Sequence, residues 1–247
     1  KGSPMKILLL DIETSPNTAY VWKLFKETIP LARLIDSSET LCWSAKWLGE
    51  KEIMFSSIKK TSPRRMLAHI HRLLDQADAV VHYNGKSFDI PNLNKEFLLY
   101  GFSPPAPYKQ IDLINTTRRQ FKFTSNKLDY ICQRLGLGQK TDTNFQLWID
   151  CMNKDSKAWD KMEKYNRNDI VLLEKLYLKL LPWIKGHPNV GLYTEAEACP
   201  NCGGTHYQKR GYTYTSVCRY SRYRCNDCGT WFRDRKNNLT EERFANA

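Results

Sequence analysis

No stretch of the 247-residue chain approaches the ~20 consecutive apolar residues that a membrane-crossing helix needs. Its apolar runs, such as Ile7-Leu10 and Ile170-Leu173, are four residues long. The opening Lys1-Gly2-Ser3-Pro4-Met5 carries no apolar segment of signal type; residues 1–4 read as an expression remnant ahead of a natural start at Met5. Proline and glycine are few, at 11 and 12, which excludes a fibrous or low-complexity chain. No internal repeat is visible. What remains is 41% hydrophobic and 12% aromatic, enough apolar matter to exclude disorder as the dominant state. The length allows one large domain, or a medium one with a small one.

Acidic residues are also in short supply. Asp plus Glu total 26 against 38 Lys plus Arg, a net charge of +12. That balance favours a polyanionic partner. Its density rises toward the C-terminus, where residues 199–247 hold nine Lys/Arg against four Asp/Glu.

The chain opens on a strand, Lys6-Leu10, whose continuous apolar run suits burial on both faces and ends in Asp11-Ile12-Glu13. Further strands are expected over Thr18-Trp22, Leu41-Leu48, Glu52-Ser56, Ala79-His82 and Gln110-Leu113. A helix starts at Pro63 behind Ser62 as cap, with Met66, Ile70, Leu73 and Leu74 as its apolar stripe. Other helices are expected over Asp89-Tyr100, stopped by Gly101, over Lys127-Leu135, and over Asp155-Ile184. Strands first, then strands and helices mixed, make an α/β layer protein. Gly186-His187-Pro188 ends the last helix, and residues 186–198 read as a linker.

Three carboxylate clusters stand out. Asp11 and Glu13, at i and i+2 on a strand, point to one face. Asp89 opens a helix directly after a strand. Tyr165 and Asp169 are i and i+4 on a helix and share a face. Taken singly, each has a plain reading: a surface pair, a helix cap favoured by the macrodipole, a ring packed beside a solvated carboxylate. Asp112 reads as a strand-end residue supporting helix ends rather than a fifth site carboxylate. His69, His71 and His82 are assigned no role.

Together, Asp11-Ile12-Glu13-Thr14, Asn84-x-x-x-Phe88-Asp89 and Tyr165-x-x-x-Asp169 resemble the three exonuclease motifs of the DnaQ-like 3′–5′ exonucleases, which belong to the RNase H-like superfamily. The carboxylate set is the tyrosine variant; Lys164 and Tyr165 stand where the histidine variant has its His. The Asn-x-x-x-Phe-Asp form is most similar to proofreading domains of family B DNA polymerases and small stand-alone relatives. The resemblance covers about residues 5–184. It implies an RNase H-like mixed β-sheet flanked by helices over residues 5–185. It also implies two Mg²⁺ or Mn²⁺ ions, ~3.5–4 Å apart, clamping a scissile phosphate. Asp11 would bridge both ions, Glu13 and Asp169 would complete the site that generates the nucleophile, and Asp89 would serve the second ion. Tyr165 would orient the attacking water. Thr14, Asn84 and Phe88 are candidate contacts to the 3′ nucleotide, although Phe88 reads equally well as core. The expected partner is nucleic acid, DNA favoured over RNA. The alternatives are a structure-specific endonuclease on the same fold and a non-catalytic nucleic-acid adaptor.

The eight cysteines divide into Cys42, Cys132 and Cys151, scattered and reading as reduced core, and five within 30 residues. Cys199-Pro-Asn-Cys202-Gly and Cys225-Asn-Asp-Cys228-Gly are two C-x-x-C-G turns separated by 22 residues. Each offers two sulfurs to a tetrahedral ion, and four thiolates without water make a structural Zn²⁺ site. The pattern resembles a zinc ribbon, placed at 199–235, with a basic polar tail over 236–247. Cys218 is left over and reads as packed. Reduced thiols of this kind point to an intracellular, reducing compartment, cytoplasm or nucleoid, with a viral source left open. Rings and cations interleave through the module, among them Tyr212, Arg219, Tyr220, Arg222, Trp231 and Arg233. That mixture suits phosphates and stacked bases; the alternative is a small aromatic core with a solvated face, or a protein-docking module.

Overall fold

The computed structural model describes residues 3–239. Residues 1–2 of the expected N-terminal remnant and 240–247 of the expected tail lie outside them. The chain runs β1 (Ile7–Thr14), β2 (Thr18–Ala19), β3 (Leu34–Asp36), β4 (Thr40–Trp47), β5 (Met54–Ser57), α1 (Pro63–Gln76), β6 (Ala79–His82), α2 (Asp89–Leu99), β7 (Lys109–Asp112), α3 (Leu113–Gln120), α4 (Leu128–Arg134), α5 (Gln146–Met152) and α6 (Ser156–Leu180). A C-terminal module follows with β8 (Tyr207–Tyr214), β9 (Arg219–Cys225) and β10 (Trp231–Arg233).

The main sheet is mixed, in the order β5-β4-β1-β6-β7. β6 and β7 run parallel to β1, while β4 and β5 run antiparallel. The parallel strands therefore end at one edge, where α/β sheets place their sites. β1 is buried on both faces because the sheet has helices on both sides. Ile7 and Leu9 pack with Ile170, Leu173, Leu176 and Tyr177 of α6. Leu8, Leu10 and Ile12 pack with Met66, Ile70 and Leu74 of α1 and with Leu93 and Phe97 of α2. Each fully buried aliphatic side chain contributes roughly 1.5–3 kcal/mol. No helix among the described residues is long and apolar enough to cross a membrane.

Three elements depart from expectation. The Thr18–Trp22 strand shrinks to Thr18–Ala19, which pairs with the unforeseen β3, and Tyr20 and Trp22 lie exposed beyond it. α3 starts where the β7 strand was expected to continue, because Asp112 caps it by accepting from the Ile114 amide at 3.3 Å. α5 is a seven-residue helix without a strong periodic signal.

Residues 186–198, expected as a linker, hold a 3₁₀ turn at Val190–Tyr193 and are tied to the C-terminal module by the Val190 amide donating to the Pro200 carbonyl at 2.8 Å. The Asn201 amide donates to the Leu181 carbonyl at 2.9 Å. Cys202 and Cys228 pack against the α6 core cluster. The module is thus seated on the sheet domain.

Candidate active site

One helical stripe builds half of the site. On α6, Tyr177, Leu173 and Ile170 face the sheet; one and two turns earlier the same stripe reaches Asp169, Asn166 and Tyr165, all buried. The other half is β1, whose Ile7 and Leu9 face α6. The residues two and four further on, Asp11 and Glu13, inherit that face by the alternation of a strand. The apolar interface therefore turns polar where α6 passes the strand end. Asp11, Glu13 and Asp169 each offer a carboxylate oxygen within 4.8 Å of the others. Opposite Glu13 on β4 is Cys42, wholly buried, as its sequence context suggested.

Asp89 reaches the site from the other face of the sheet. It opens α2 and accepts from the Ile12 amide, at 3.0 Å, with Oδ1. It lies outside the tight trio but close enough to raise the pKa of Asp11 and of Glu13. The loop before it is pinned by Asp112, which accepts from the amides of Asn84 at 2.8 Å and Lys86 at 3.2 Å. Asn84 sits at φ +66°, a conformation asparagine tolerates. Gly85 is required there, since a Cβ would lie 2.4 Å from the His82 ring. His82 is fully buried, within 3.6 Å of Asp112, and belongs to this support. His69 packs edge-on against Trp43, and His71 bonds the Ser103 carbonyl.

The electrostatics are those of crowded like charges. Burial first, then Asp169, Asp89 and Glu13, hold the Asp11 carboxyl well above the carboxylate range. Glu13 is pushed up to about 8 by burial and by Asp169. Asp89 is raised to about 6 by burial. Asp169 is raised by burial, against the opposing pull of Lys140. The Tyr165 hydroxyl is raised by burial and by Asp169, and stays protonated.

Lys140 carries no pattern in the sequence, yet it enters the site. Its Nζ lies 2.5 Å from Asp169 Oδ2 and 3.1 Å from the Tyr165 hydroxyl. Burial works against its charge, but Asp169, Asp11 and Tyr165 outweigh it and raise its pKa. The segment that delivers it is fixed by the Lys140 amide donating to Asp129 at 2.7 Å and by Asn168 donating to the Gln139 carbonyl. Asn166, one turn from Asp169, donates to Asp11 Oδ2 at 2.7 Å. The ring of Trp148 stands edge-on to Tyr165, 5.7 Å between centroids.

A groove of about 610 Å³ starts at Lys140 and passes Asn84 toward Arg118, Asn126 and Lys127. Thr14 lies half-buried at a register shift at the end of β1. Phe88 is 41% exposed, so it is not a core residue.

The donor set fits hard divalent ions. Three carboxylates converge with one ammonium to offset them, and Asp169 Oδ1 is buried without a hydrogen-bond partner. The RNase_H_2 family model, of the RNase_H superfamily, matches residues 36–181. The chain belongs to the RNase H superfamily. The matched span holds Asp89, Tyr165 and Asp169 and begins after Asp11 and Glu13, which the sheet brings to them. Among solved structures of this fold, the chain is similar to the family B DNA polymerase from the hyperthermophilic archaeon Pyrobaculum calidifontis, at 15% identity and a TM-score of 0.56. That match covers 87% of this chain and 32% of the polymerase, so the chain spans about a third of its length. No curated protein sequence matches the chain.

In the C-terminal module the four sulfurs of Cys199, Cys202, Cys225 and Cys228 also gather within 4.8 Å of one another. Cys199 and Cys228 are 3.7 Å apart, and Cys202 and Cys225 are 3.6 Å apart. These separations are near the ~3.8 Å edge of a tetrahedron with metal–sulfur bonds of ~2.3 Å, and well beyond a disulfide bond. Tyr207, Tyr223 and Phe232 pack on one another as the module's small core. Trp231 and Tyr220 lie instead under the guanidinium groups of Arg222 and Arg233, at 5.0 and 3.7 Å. The interleaved rings thus divide between the two expectations. Cys218 is half-buried and closes a turn with Thr215.

Proposed function

We propose that this protein is a metal-dependent nuclease that removes nucleotides from the 3′ end of a nucleic-acid strand, DNA in preference to RNA. The observation that carries the reading is the convergence of Asp11, Glu13 and Asp169 within 4.8 Å at a strand end, with Asp89 alongside. The 3′–5′ direction rests on the motif resemblance.

Asp11, Glu13, Asp89 and Asp169 would hold two Mg²⁺ or Mn²⁺ ions. Bound there, the ions supply charge stabilisation to the attacking and leaving oxygens of an in-line displacement. The chain's own residues do the rest. Tyr165, kept protonated, orients the attacking water through its hydroxyl rather than taking its proton. Lys140, kept charged, turns its ammonium toward the phosphate as negative charge develops. Asn166 holds Asp11 in place. The groove past Asn84 receives the end of the strand, with Thr14 and Phe88 as further contacts, and Arg118 and Lys127 meet its phosphates.

Residues 5–185 form the nuclease unit and 199–235 a ribbon in which Cys199, Cys202, Cys225 and Cys228 hold one structural Zn²⁺. The exposed Arg222–Trp231 pair, with the exposed Arg233 over the half-buried Tyr220, supports a nucleic-acid contact there, with protein docking as the other use of the same surface. Thiols that must stay reduced suit a reducing compartment.

The test uses single- and double-stranded DNA and RNA labelled at the 5′ end, incubated with Mg²⁺, Mn²⁺ or EDTA. Stepwise shortening that needs the ion and stops at a 3′-phosphate is the expected result. Internal fragments from a circular substrate would show an endonuclease instead.

A further inference from the structure

Directly after β1 the chain leaves the catalytic edge as a projecting arm. Its root is fixed: the Ser15 amide donates to the Glu39 carbonyl at 2.9 Å, and the Ser38 amide to Asn17 at 2.7 Å. β2 and β3 pair above it, and the Tyr20 amide donates to the Arg33 carbonyl at 3.1 Å. The tip is closed by one carboxylate. Glu27 accepts from the amides of Trp22 at 3.0 Å and Lys23 at 2.8 Å, and pairs with Arg33. The Lys23 amide first, then Arg33, hold its pKa below the usual range.

This ordered arm turns its apolar side chains outward. Tyr20 is 73% exposed, Trp22 84%, Leu24 85% and Phe25 81%. Single exposed rings are ordinary, but with Val21, 43% exposed, these make five large apolar residues in six positions, a patch that marks an interaction site. Lys23 and Lys26 sit among them, and neither has an ion-pair partner among the described residues, while the nearby acid Glu27 is neutralised by Arg33. Rings that can stack on any base, alternating with free cations that can meet phosphates, match a single strand. The location agrees. Thr18 is five residues beyond Glu13, so the root of the arm lies within about 17 Å of the carboxylates. A strand engaged in the site passes at that range.

We infer that the Tyr20–Lys26 arm grips unpaired nucleotides of the substrate, stacking bases on Trp22 and Phe25 and pairing phosphates with Lys23 and Lys26. This rests on the nuclease reading above and names the form of substrate it takes: a strand with free bases beside the bond to be cut.

The experiment measures affinity of the full chain for a fluorescein-labelled 12-nucleotide oligothymidylate by anisotropy, in EDTA so that nothing is cut. Trp22→Ala and Phe25→Ala are each expected to weaken binding about tenfold, and Trp22→Phe to keep most of it. Lys23→Ala with Lys26→Ala should lower the slope of log affinity against log salt by about 1.4. Both rings are exposed, so unchanged thermal unfolding is expected in every variant; if an alanine variant unfolds early, the lysine pair decides by its salt slope. Parent-like affinity in Trp22→Ala and Phe25→Ala overturns the inference. So does a concentration-dependent dimer in sedimentation that Trp22→Ala abolishes without changing oligonucleotide affinity, since the arm then docks a second copy. The nuclease reading is judged separately, by release of label from the parent in Mg²⁺. Arm-dependent binding without cutting would support the arm and sink that reading; cutting with arm-independent binding would do the reverse.

Discussion

The Lys140 ammonium stands 2.5 Å from Asp169, inside the ring of carboxylates. Three acids are held there by packing of β1 against α6 and a fourth, Asp89, is brought alongside by α2; Lys140 is the one cation among the described residues that pairs with them. It offsets part of their mutual repulsion. Replacing it with methionine leaves Asp169 buried and unpaired. The expected cost is about 2–3 kcal/mol, less than a fully buried pair because the lysine is partly open to solvent. At ~2–4 °C per kcal/mol, thermal unfolding without divalent ions should fall by roughly 5–10 °C. Mn²⁺ should restore most of it. A melting temperature unaffected by Lys140→Met would show that the pair contributes nothing to the fold.

Asp11→Ala should behave in the opposite sense. It removes a carboxylate that burial and three like charges already disfavour, so the metal-free fold should lose little stability or gain some. Turnover of a labelled strand should drop by several orders of magnitude, on the order of 10³ or more. Tyr165→Phe should be milder, roughly 10²-fold, because the water is less well oriented while the acids remain. A variant at Asp11 that cuts at near-parent rate would sink the two-ion assignment.

How far the sequence foretold this site depends on the kind of signal. Asp11, Glu13, Asp89, Tyr165 and Asp169 were readable because their spacing is local: two on a strand face, one at a helix start, two on a helix turn. The two-sided burial of β1 followed from its unbroken apolar run, whereas the strand order is set by long-range pairing that no local pattern records. Lys140 was not readable, since a lysine in a loop has no period and its approach depends on Asp129 and Asn168 holding distant backbone. Asn166 carried a trace, lying three residues before Asp169 on the same helical face. α3 was hidden because its start is set by Asp112, a residue that looks like the end of a strand. The apolar arm misled the strand assignment: its β-favouring rings at 20–22 extend β2 by composition but have no sheet to cover them.

The carboxylates also set a pH dependence. In the metal-free protein Glu13 is pushed up to about 8, whereas an unfolded glutamate titrates near ~4.3. Between those values the folded chain holds the extra proton, so stability falls as pH rises through the window and levels off above about 8. Glu13→Gln removes this contribution while other titrations cancel in the comparison. The stability advantage of the variant over the parent should grow from pH 5 to pH 8 in EDTA. A divalent ion competes with the proton, so Mn²⁺ should stabilise the parent more at pH 8 than at pH 6. A parent–variant gap that does not change with pH would contradict the assignment.

On the ribbon, Arg222 and Arg233 lie over Trp231 and Tyr220, and both arginines are exposed. If each meets a phosphate of a long substrate, replacing both with alanine should lower the salt slope of binding by about 1.4–1.8. The cut rate on a short oligonucleotide should change little, because both residues belong to the C-terminal module, which is seated at the Leu181 end of α6, about three turns beyond Asp169. An unaltered slope would assign the ribbon surface to a protein.

The four sulfurs allow a sharper test of how the ribbon is attached. Protein purified without added zinc should carry about one zinc per chain. The module is too small to bury a core that folds alone, so loss of the ion should unfold it. A ribbon on a free tether would melt without consequence for the sheet domain. Here Cys202 and Cys228 pack against the α6 cluster that includes Tyr177 and Leu181, and Asn201 bonds the Leu181 carbonyl. Unfolding the ribbon therefore strips cover from the end of α6 and gives the Leu181 carbonyl water in place of that donor, at a net cost of about 0.5–1.5 kcal/mol for the hydrogen bond alone. Cys225→Ser, which breaks the site at a ligand that does not itself pack against the α6 cluster, should thus lower the melting temperature of the sheet domain by several degrees and abolish zinc retention together. Asn201→Ala should lower the same temperature while keeping the zinc. Two independent transitions in calorimetry, with the larger one indifferent to chelation, would show that the seat is not energetically coupled to the sheet domain.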